Sequence, residues 1–263
     1  VFIPQGPLFL VPFPALQAPD GDYLIQKHTP LTAPSIQVLG LTQEIRSRNR
    51  ASGAPLIVGN PTMPSLAFDP GEPPQPLQPL PGTEQEAQAI GEILQVSPLI
   101  GSAATEAGVI EQISQARIVH LASHGLLDYG TPEEYGVRDL PGAIALAPGN
   151  GADGLLTSAE IIDLNLKADL VVLSACDTGR GRVTGDGVIG LSRAFIGAGV
   201  PSVVVSLWQV PDAPTAELMT EFYRQLPQTP DKAQALRQAM LVMLEKYPNP
   251  RDWAAFTLIG EAD

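Results

Sequence analysis

Two residues that could do chemistry together, a histidine and the only cysteine of the chain, each follow an apolar segment. His124 comes directly after RIVHLAS, and Cys176 comes directly after DLVVLSA. A cysteine is a strong nucleophile as the thiolate, and a neighbouring imidazole can accept its proton and stabilise the anion. The pair therefore predicts nucleophilic catalysis. A buried, inert cysteine beside a capping histidine is the alternative, because free cysteines are often core residues.

The segments before these two residues determine whether they can meet. Both have a strand pattern, and LVVLSA before Cys176, like SVVVSL farther along, is apolar without alternation, which is typical of strands covered by helices on both faces. From Thr83 onward, helical and strand patterns alternate, which predicts a mostly parallel α/β sheet. Parallel strands end at one edge, where such sheets bind ligands. We therefore expect His124 and Cys176, 52 residues apart, to lie close together at that edge.

Composition excludes several classes of function. The chain has 263 residues, of which 44% are hydrophobic and 16% charged, as expected of a folded domain with a substantial core. A net charge of −13 argues against binding to nucleic acid or to anionic membranes. The single cysteine cannot form an internal disulfide, and no apolar run is long enough for a membrane span. We expect a cytoplasmic protein with no nucleic-acid or membrane partner.

The chain divides into two parts by its pattern. Residues 1–55 alternate short apolar runs with proline and glycine, which predicts a small β-rich N-terminal segment. Residues 56–263 form the main domain, in which residues 60–82 are a proline-rich connector expected to be extended and at the surface. The sequence begins with Val1 rather than methionine, so we expect the C-terminal fragment of a longer protein.

Metal binding is an alternative at two places. His120 and His124 have the HxxxH spacing that presents two imidazoles to zinc on a helix, but their flanks have a strand pattern. His120 is therefore expected to be a buried structural or supporting residue. A calcium loop is conceivable after His124 but lacks EF-hand spacing, and its acidic residues are Asp128, Glu133, Glu134 and Asp139.

A dinucleotide-binding loop is a further alternative. Gly185, Gly187 and Gly190 match GxGxxG before a helix, and Asp212 follows at the distance expected of a ribose-binding acid. That fingerprint must follow its strand directly, whereas CDTGRGRVTGD separates the strand from this helix. The glycines are better explained by a loop beside Cys176 and a closely packed helix start.

Longer stretches resemble one protein family. The segments HLASHG, LVVLSACDTG, GDGVIGLSRAFIGAGVPSVVVSLWQVPD and WAAFTLIG resemble the CHAT family, bacterial relatives of caspases and separases. The stretch IPQGPLFLVPFPAL and the GNP before the connector are also similar, so the resemblance spans nearly the whole chain. It implies a three-layer α/β/α caspase-haemoglobinase-like fold with a mostly parallel sheet, and identifies residues 56–263 as a caspase-like peptidase domain.

The resemblance also implies an activity. His124 corresponds to the base and Cys176 to the nucleophile of a cysteine endopeptidase that works through an acyl-enzyme, with an oxyanion hole at the backbone amides of Gly125 and Cys176. No metal or organic cofactor is implied. The expected partners are a protein or peptide substrate and a regulatory partner or tetratricopeptide repeats in a preceding region. The alternative is a non-catalytic scaffold domain that keeps the fold.

Substrate contacts are implied more weakly. In separases a similar LWxVxD segment lines the pocket for the residue before the cut, and its acid meets arginine. In the LWQVPD of this chain, Trp208 would form an apolar wall and Asp212 would supply a carboxylate, with Asp177 as a further candidate substrate contact. The other interpretation of Asp212 is that it caps a helix starting near Ala213.

Overall fold

A six-stranded sheet organises the part of the chain that the computed structural model describes, residues 1–48, 52–67, 73–127, 129, 142–174, 185–208, 211–229 and 231–263. The strands of this part, in chain order, are β1 (Leu56–Pro61), β2 (Ser65–Leu66), β3 (Gln75–Pro76), β4 (Leu99–Gly101), β5 (Ile118–Ala122), β6 (Gly125–Leu126), β7 (Ala143–Ala145), β8 (Leu155–Thr157), β9 (Leu170–Leu173), β10 (Ser202–Ser206) and β11 (Phe256–Gly260). The α-helices are α1 (Leu24–Lys27), α2 (Ile36–Arg48), α3 (Pro81–Leu94), α4 (Glu106–Ile113), α5 (Ser158–Asp163), α6 (Gly185–Gly197), α7 (Asp212–Gln225) and α8 (Lys232–Lys246).

The large sheet has the strand order β11-β10-β9-β5-β1-β4. All neighbours are parallel except β10 and β11, which are antiparallel. The chain passes from β1 to β4 on one side and then returns to β5 on the other side of β1, so the connections diverge between β1 and β5. In sheets of this kind, such a divergence opens a crevice at the carboxyl ends of the strands. β5 and β9 are parallel neighbours, as the sequence predicts.

Helices cover both faces of the sheet, which explains why its central strands are apolar without alternation. Helices α4, α5 and α6 pack on one face, where the buried residues include Val109, Ile113, Ile161, Ala194 and Phe195. Helices α3, α7 and α8 pack on the other, where the buried residues include Ile90, Leu218, Phe222, Leu236 and Met240. The result is the three-layer α/β/α architecture expected from the sequence.

A second, three-stranded antiparallel sheet, β6-β7-β8, branches from the carboxyl end of β5. Gly142 directly precedes β7 and has φ of +122°, a conformation that favours glycine. A side chain at this position would also collide with Leu191, because a Cβ would lie 2.9 Å from its Cγ. Gly142 therefore allows β7 to begin against helix α6.

The N-terminal segment differs from the β-rich prediction. Its described residues form two 3-10 turns, Gly6–Leu10 and Phe13–Ala15, followed by α1 and α2, and their β-structure is confined to isolated bridges. Prolines explain the difference, because they lack the amide donor that a strand ladder requires and are tolerated at the start of helical turns. A bridge between Thr32 and Ile259 holds this segment against β11.

The proline-rich connector also differs from the prediction, because much of it packs on the domain. β2 and β3 pair within it, and Leu66 and Leu77 are buried in a small apolar cluster with Leu126 of β6. The Asn60 side chain accepts a hydrogen bond from the Leu80 amide at 2.9 Å. The alternation of proline with leucine thus allows the chain to stay extended while it buries an apolar side chain every few residues.

A cavity of about 670 Å³ lies at the amino ends of the parallel strands, away from the edge that carries His124. Its lining includes Arg46, Arg117, Asp169 and Lys232. Burial, and then the nearby charge of Arg46, lowers the pKa of Lys232 to about 8. The lysine ammonium donates to the Asp263 carbonyl oxygen. Keeping a charged Lys232 in this buried position therefore destabilises the fold.

No helix in the described ranges is long and apolar enough to cross a membrane.

Replacing Lys232 by methionine should flatten the dependence of stability on pH. Between pH 8 and 10.5 the unfolded lysine keeps a proton that the folded one has lost, so the free energy of unfolding of the parent should rise with pH, by roughly 3 kcal/mol in all. Urea unfolding from pH 7 to 10.5 measures the slope. Lys167→Met, at an exposed lysine, is the control and should keep it. Equal slopes in parent and Lys232→Met would contradict the assignment.

Candidate active site

His124 lies just beyond β5 and just before β6, at the carboxyl edge of the large sheet. Its side chain is buried, with 1% of the residue exposed. The imidazole Nε2 is 2.7 Å from the backbone carbonyl oxygen of Gln78. A carbonyl oxygen only accepts hydrogen bonds, so Nε2 carries a proton and Nδ1 is the nitrogen of the neutral ring that can accept one. The ring is therefore held in the tautomer whose Nδ1 can act as a base.

The contact with Gln78 was not expected from the sequence. Gln78 belongs to the connector, directly after the buried Leu77, and its backbone rather than its side chain meets the histidine. Because every residue has a backbone carbonyl, the residue type at position 78 does not predict this contact. Only the buried leucines of the connector could have indicated that this stretch packs against the domain.

The turn around His124 is held by the second sheet. The Ser123 hydroxyl donates to the Ala145 carbonyl at 2.5 Å, and the Ala145 amide donates to the His124 carbonyl at 2.9 Å. This second bond makes Gly125 and Ile144, which lie opposite each other, a non-hydrogen-bonded pair of the antiparallel ladder. The N–H of Gly125 consequently points away from β7. That orientation is compatible with its expected role as an oxyanion donor.

Cys176 and Asp177 lie outside the residues that the structure describes, so their predicted roles stay predictions. The described chain before them continues the pairing of β9 with β5. The Ser174 amide donates to the Leu121 carbonyl at 3.0 Å, one residue beyond the end of β9. The chain thus reaches Ser174, two residues before Cys176, at the same edge of the sheet as His124.

Trp208 follows β10 at this edge and is half-buried. Its indole N–H donates to the Arg251 carbonyl at 3.1 Å, and its ring packs against the cores of both faces. The hydrogen bond fixes the indole to the 3-10 turn Pro250–Asp252. Trp208 is therefore a positioned apolar surface, as a pocket wall requires.

Asp212 is exposed and is the first residue of α7, with Pro211 in the capping position. The prediction that Asp212 caps a helix starting near Ala213 is therefore wrong by one residue. A carboxylate in the first helical turn still interacts favourably with the helix dipole. The Asp212 side chain lies against the start of α3, since a Cβ added to Gly82 would be 2.5 Å from its Oδ2. Two helix N-termini meet there, four residues from Gln78.

His120 has a different environment from His124. It is fully buried in β5, with Nδ1 3.2 Å from the Tyr223 hydroxyl and Nε2 2.9 Å from Glu86 Oε1. The two histidines thus contact different groups, and among the described residues no three potential metal-ligating side chains come together. The expectation that His120 is buried is confirmed, and its structural or supporting role stays a prediction.

The geometry also bears on dinucleotide and calcium binding. Helix α6 begins at Gly185, and residues 174–184 separate it from β9, which is longer than the direct strand-to-helix turn of a dinucleotide fingerprint. Asp212, the acid that would bind a ribose, stands against Gly82. The acidic residues that a calcium loop would use, Asp128, Glu133, Glu134 and Asp139, lie outside the described ranges.

Comparisons with known proteins agree with the fold. The family model described as CHAT domain matches residues 1–261. The chain is 32% identical to tetratricopeptide repeat protein 28 of Mus musculus and 31% identical to that of Homo sapiens, over 99% of its own length and 12% of theirs. The chain thus spans about an eighth of these relatives, which are mammalian although the resemblance implied bacterial ones.

Solved structures show the same fold at low identity. The Arg-specific cysteine proteinase gingipain R is similar with a TM-score of 0.53 at 13% identity, over 88% of this chain and 53% of that one. Separase in the Saccharomyces cerevisiae separase-securin complex is similar with a TM-score of 0.58 at 15% identity, over 96% of this chain and 14% of that one. The caspase-like architecture expected from the sequence is confirmed.

Gly82→Ala tests the contact between the starts of α3 and α7. The added methyl would lie 2.4 Å from Asp212 Cβ, so the two helices must separate, and we expect the free energy of unfolding to fall by about 1 to 3 kcal/mol. Chemical denaturation measures it. In the control Gly40→Ala, the new methyl in α2 meets nothing within 4 Å, and helix propensity should raise stability by up to about 1 kcal/mol. A stable Gly82→Ala would mean that the helices do not touch there.

Proposed function

We propose that this chain, which belongs to the CHAT domain family, hydrolyses peptide bonds with Cys176 as the nucleophile and His124 as the base. The observation that supports the proposal is the contact between His124 Nε2 and the Gln78 carbonyl. It leaves Nδ1 as the acceptor, and His124 lies just beyond β5, which pairs in parallel with β9, the strand that leads to Cys176. The caspase-like fold neighbours support a peptidase-type superfamily.

The first half of the reaction forms the acyl-enzyme. His124 Nδ1 takes the thiol proton of Cys176, and the sulfur attacks the carbonyl carbon of the scissile peptide bond. The resulting oxyanion accepts hydrogen bonds from the amides of Gly125 and Cys176. When the tetrahedral intermediate collapses, the carbon–nitrogen bond breaks and the imidazolium gives its proton to the leaving amine.

The second half releases the product. A water molecule loses a proton to His124 Nδ1 and attacks the thioester carbonyl, and the thiolate leaves and recovers a proton. The Gln78 carbonyl accepts a hydrogen bond from the Nε2–H group throughout. Because this bond is to a neutral acceptor within the protein, it holds the ring in one orientation in both its neutral and its charged states.

The pocket for the residue before the cut is proposed to favour arginine or lysine. Trp208 would supply an apolar wall for the aliphatic part of the side chain and Asp212 a carboxylate for its charge, with Asp177 as a further contact. Trp208 is held by its bond to Arg251, and Asp212 is exposed at the edge that bears Gln78. The net charge of −13 also favours basic substrates.

Protein partners are proposed as well. The relatives are named for tetratricopeptide repeats, and the separase neighbour is seen in a complex with securin. We therefore place this domain beside such repeats in a longer protein, with a protein substrate and a regulatory protein. A reducing cytoplasm is the location proposed, because it keeps the single thiol of Cys176 available.

The burial of His124 also fits a second function, that of a non-catalytic interaction domain. An imidazole that is 1% exposed can be a structural residue that closes the edge of the sheet against the connector. A thiol-reactive peptide probe separates the two functions. An enzyme labels Cys176 faster with a peptide-bearing electrophile than with the same electrophile alone, whereas a scaffold labels equally with both.

The dyad is tested by removing each member. Cys176→Ala and His124→Ala should each lower hydrolysis of a peptide library at least about a thousandfold, because nucleophile and base act as a unit. Circular dichroism should show that both variants stay folded. His28→Ala, at an exposed histidine, is the control and should keep full activity. Cleavage by Cys176→Ala at the parental rate would show that the proposed mechanism is wrong.

Substrate preference is tested at Asp212. Asp212→Asn keeps the size of the side chain but removes its charge, so kcat/KM for peptides with arginine or lysine before the cut should fall about tenfold or more while neutral peptides are unaffected. Glu217→Gln, farther along α7, is the control. A library profile dominated by large apolar residues in the parent would eliminate the basic pocket and leave Asp212 a residue of the first helical turn.

A further inference from the structure

A buried polar cluster lies behind the candidate site, between the large sheet and helices α3 and α7. It consists of Glu86, His120, Ser174 and Tyr223, each of them at most 1% exposed. Glu86 Oε1 is 2.9 Å from His120 Nε2 and accepts a hydrogen bond from the Ser174 hydroxyl. His120 Nδ1 is 3.2 Å from the Tyr223 hydroxyl. We call these four residues the Glu86 cluster.

Two of the contacts in the cluster are hydrogen bonds. Burial, and then the charge of Glu86, raise the pKa of Tyr223 well above its ordinary value, so the phenol keeps its proton and can donate to His120 Nδ1. Ser174 donates to Glu86 Oε1, whereas His120 Nε2 lies 2.9 Å from the same oxygen without the alignment of a hydrogen bond. The cluster therefore combines two hydrogen bonds with one close contact between His120 and Glu86.

The Glu86 cluster joins the elements that carry the candidate site. Glu86 belongs to α3, which starts three residues after Gln78. His120 is in β5, four residues before His124, and Ser174 follows β9, two residues before Cys176. A single oxygen atom, Glu86 Oε1, therefore contacts both strands that lead to the proposed dyad.

Stability alone does not explain such a cluster. Burying a carboxylate, an imidazole and two hydroxyls carries a large desolvation penalty, and apolar side chains of similar volume often give an equally stable core. The hydrogen bond from Ser174 to Glu86, unlike an apolar contact, is directional, so it defines where the end of β9 lies relative to α3. Precision matters at this place, because a displacement of reacting groups by 1 Å can cost about a hundredfold in rate.

We propose that Glu86 is a positioning residue, which holds the carboxyl ends of β5 and β9 together through His120 and Ser174 so that the base and the nucleophile meet. This inference rests on the proposed function, since it assumes that His124 and Cys176 act as a pair. Glu86 does not touch the substrate. Its effect on the reaction passes through Ser174 and His120, to which it is bound on the side of the sheet covered by α3.

The experiment tests whether Cys176 is paired with His124 by measuring how the reactivity of the thiol depends on pH. Cys176 is the only cysteine, so the rate of alkylation of the intact protein by iodoacetamide, followed by mass spectrometry from pH 5 to 9, reports this thiol alone. A thiol paired with an imidazole reacts at lower pH than a free thiol, whose pKa is about 8.5. The parent should therefore react well below pH 8, and His124→Ala should move the midpoint of the profile toward that of a free thiol.

Ser174→Ala removes one of the two strand contacts and should act in the same direction. We expect alkylation at pH 6.5 to slow about tenfold, kcat for peptide hydrolysis to fall by a similar factor, and KM to stay unchanged. Ser202→Ala is the matched control, since Ser202 is also buried, in β10, and its hydroxyl donates to the Glu261 carbonyl at 2.6 Å. It should lose similar stability in urea unfolding but keep the parental pH profile.

The outcomes separate this proposal from the proposed function. If His124→Ala shifts the profile and Ser174→Ala leaves it unchanged, the dyad stands and the positioning role of Glu86 is overturned. If even His124→Ala leaves the profile of the parent unchanged, the dyad fails, and the positioning role fails with it. Should Ser174→Ala unfold, Glu86→Gln replaces it, because the amide keeps the size of the side chain and removes the charge that both contacts share; the same shift is then expected.

Discussion

The parallel pairing of β5 with β9 is the interaction on which the candidate site depends. Val119 pairs with Val171 and Leu121 with Leu173, and the Ser174 amide extends the ladder by one more bond. Side chains alternate between the faces of a sheet, so a slip of one residue would turn every inward contact to the other face. The register therefore determines both where the two strands end and which of their polar residues can reach Glu86.

The two histidines of HLASHG show how position rather than residue type decides a role. His120 lies within the strand, and its ring is enclosed by Glu86 and Tyr223 under helices α3 and α7. His124 lies beyond the strand, where the backbone is free to leave the sheet, and a carbonyl oxygen orients its ring. One imidazole can thus hold the strands together while the other remains a candidate base.

The connector and the sheet β6-β7-β8 supply the groups that surround His124 at the carboxyl edge of the large sheet. Layered α/β domains share a frame that many apolar sequences can build, so their functions are carried by the segments at the strand ends. Here the connector places Gln78 against His124, and the sheet β6-β7-β8 holds the turn that contains Ser123 and Gly125. These segments are short, and leucines of the connector and of the small sheet are buried together in one apolar cluster.

The sequence by itself determined the alternation of helices and strands, the parallel sheet and the edge where His124 lies, because apolar runs and helical periodicity are local signals. It misjudged residues 1–55, where prolines that interrupt apolar runs gave helical turns instead of strands. Only the tertiary structure decided that the Gln78 carbonyl meets His124, that Asp212 rests on Gly82, and that Glu86 joins two strands. Each of these is a contact between segments distant in the chain, and a backbone carbonyl or a glycine carries no side-chain pattern that would reveal it.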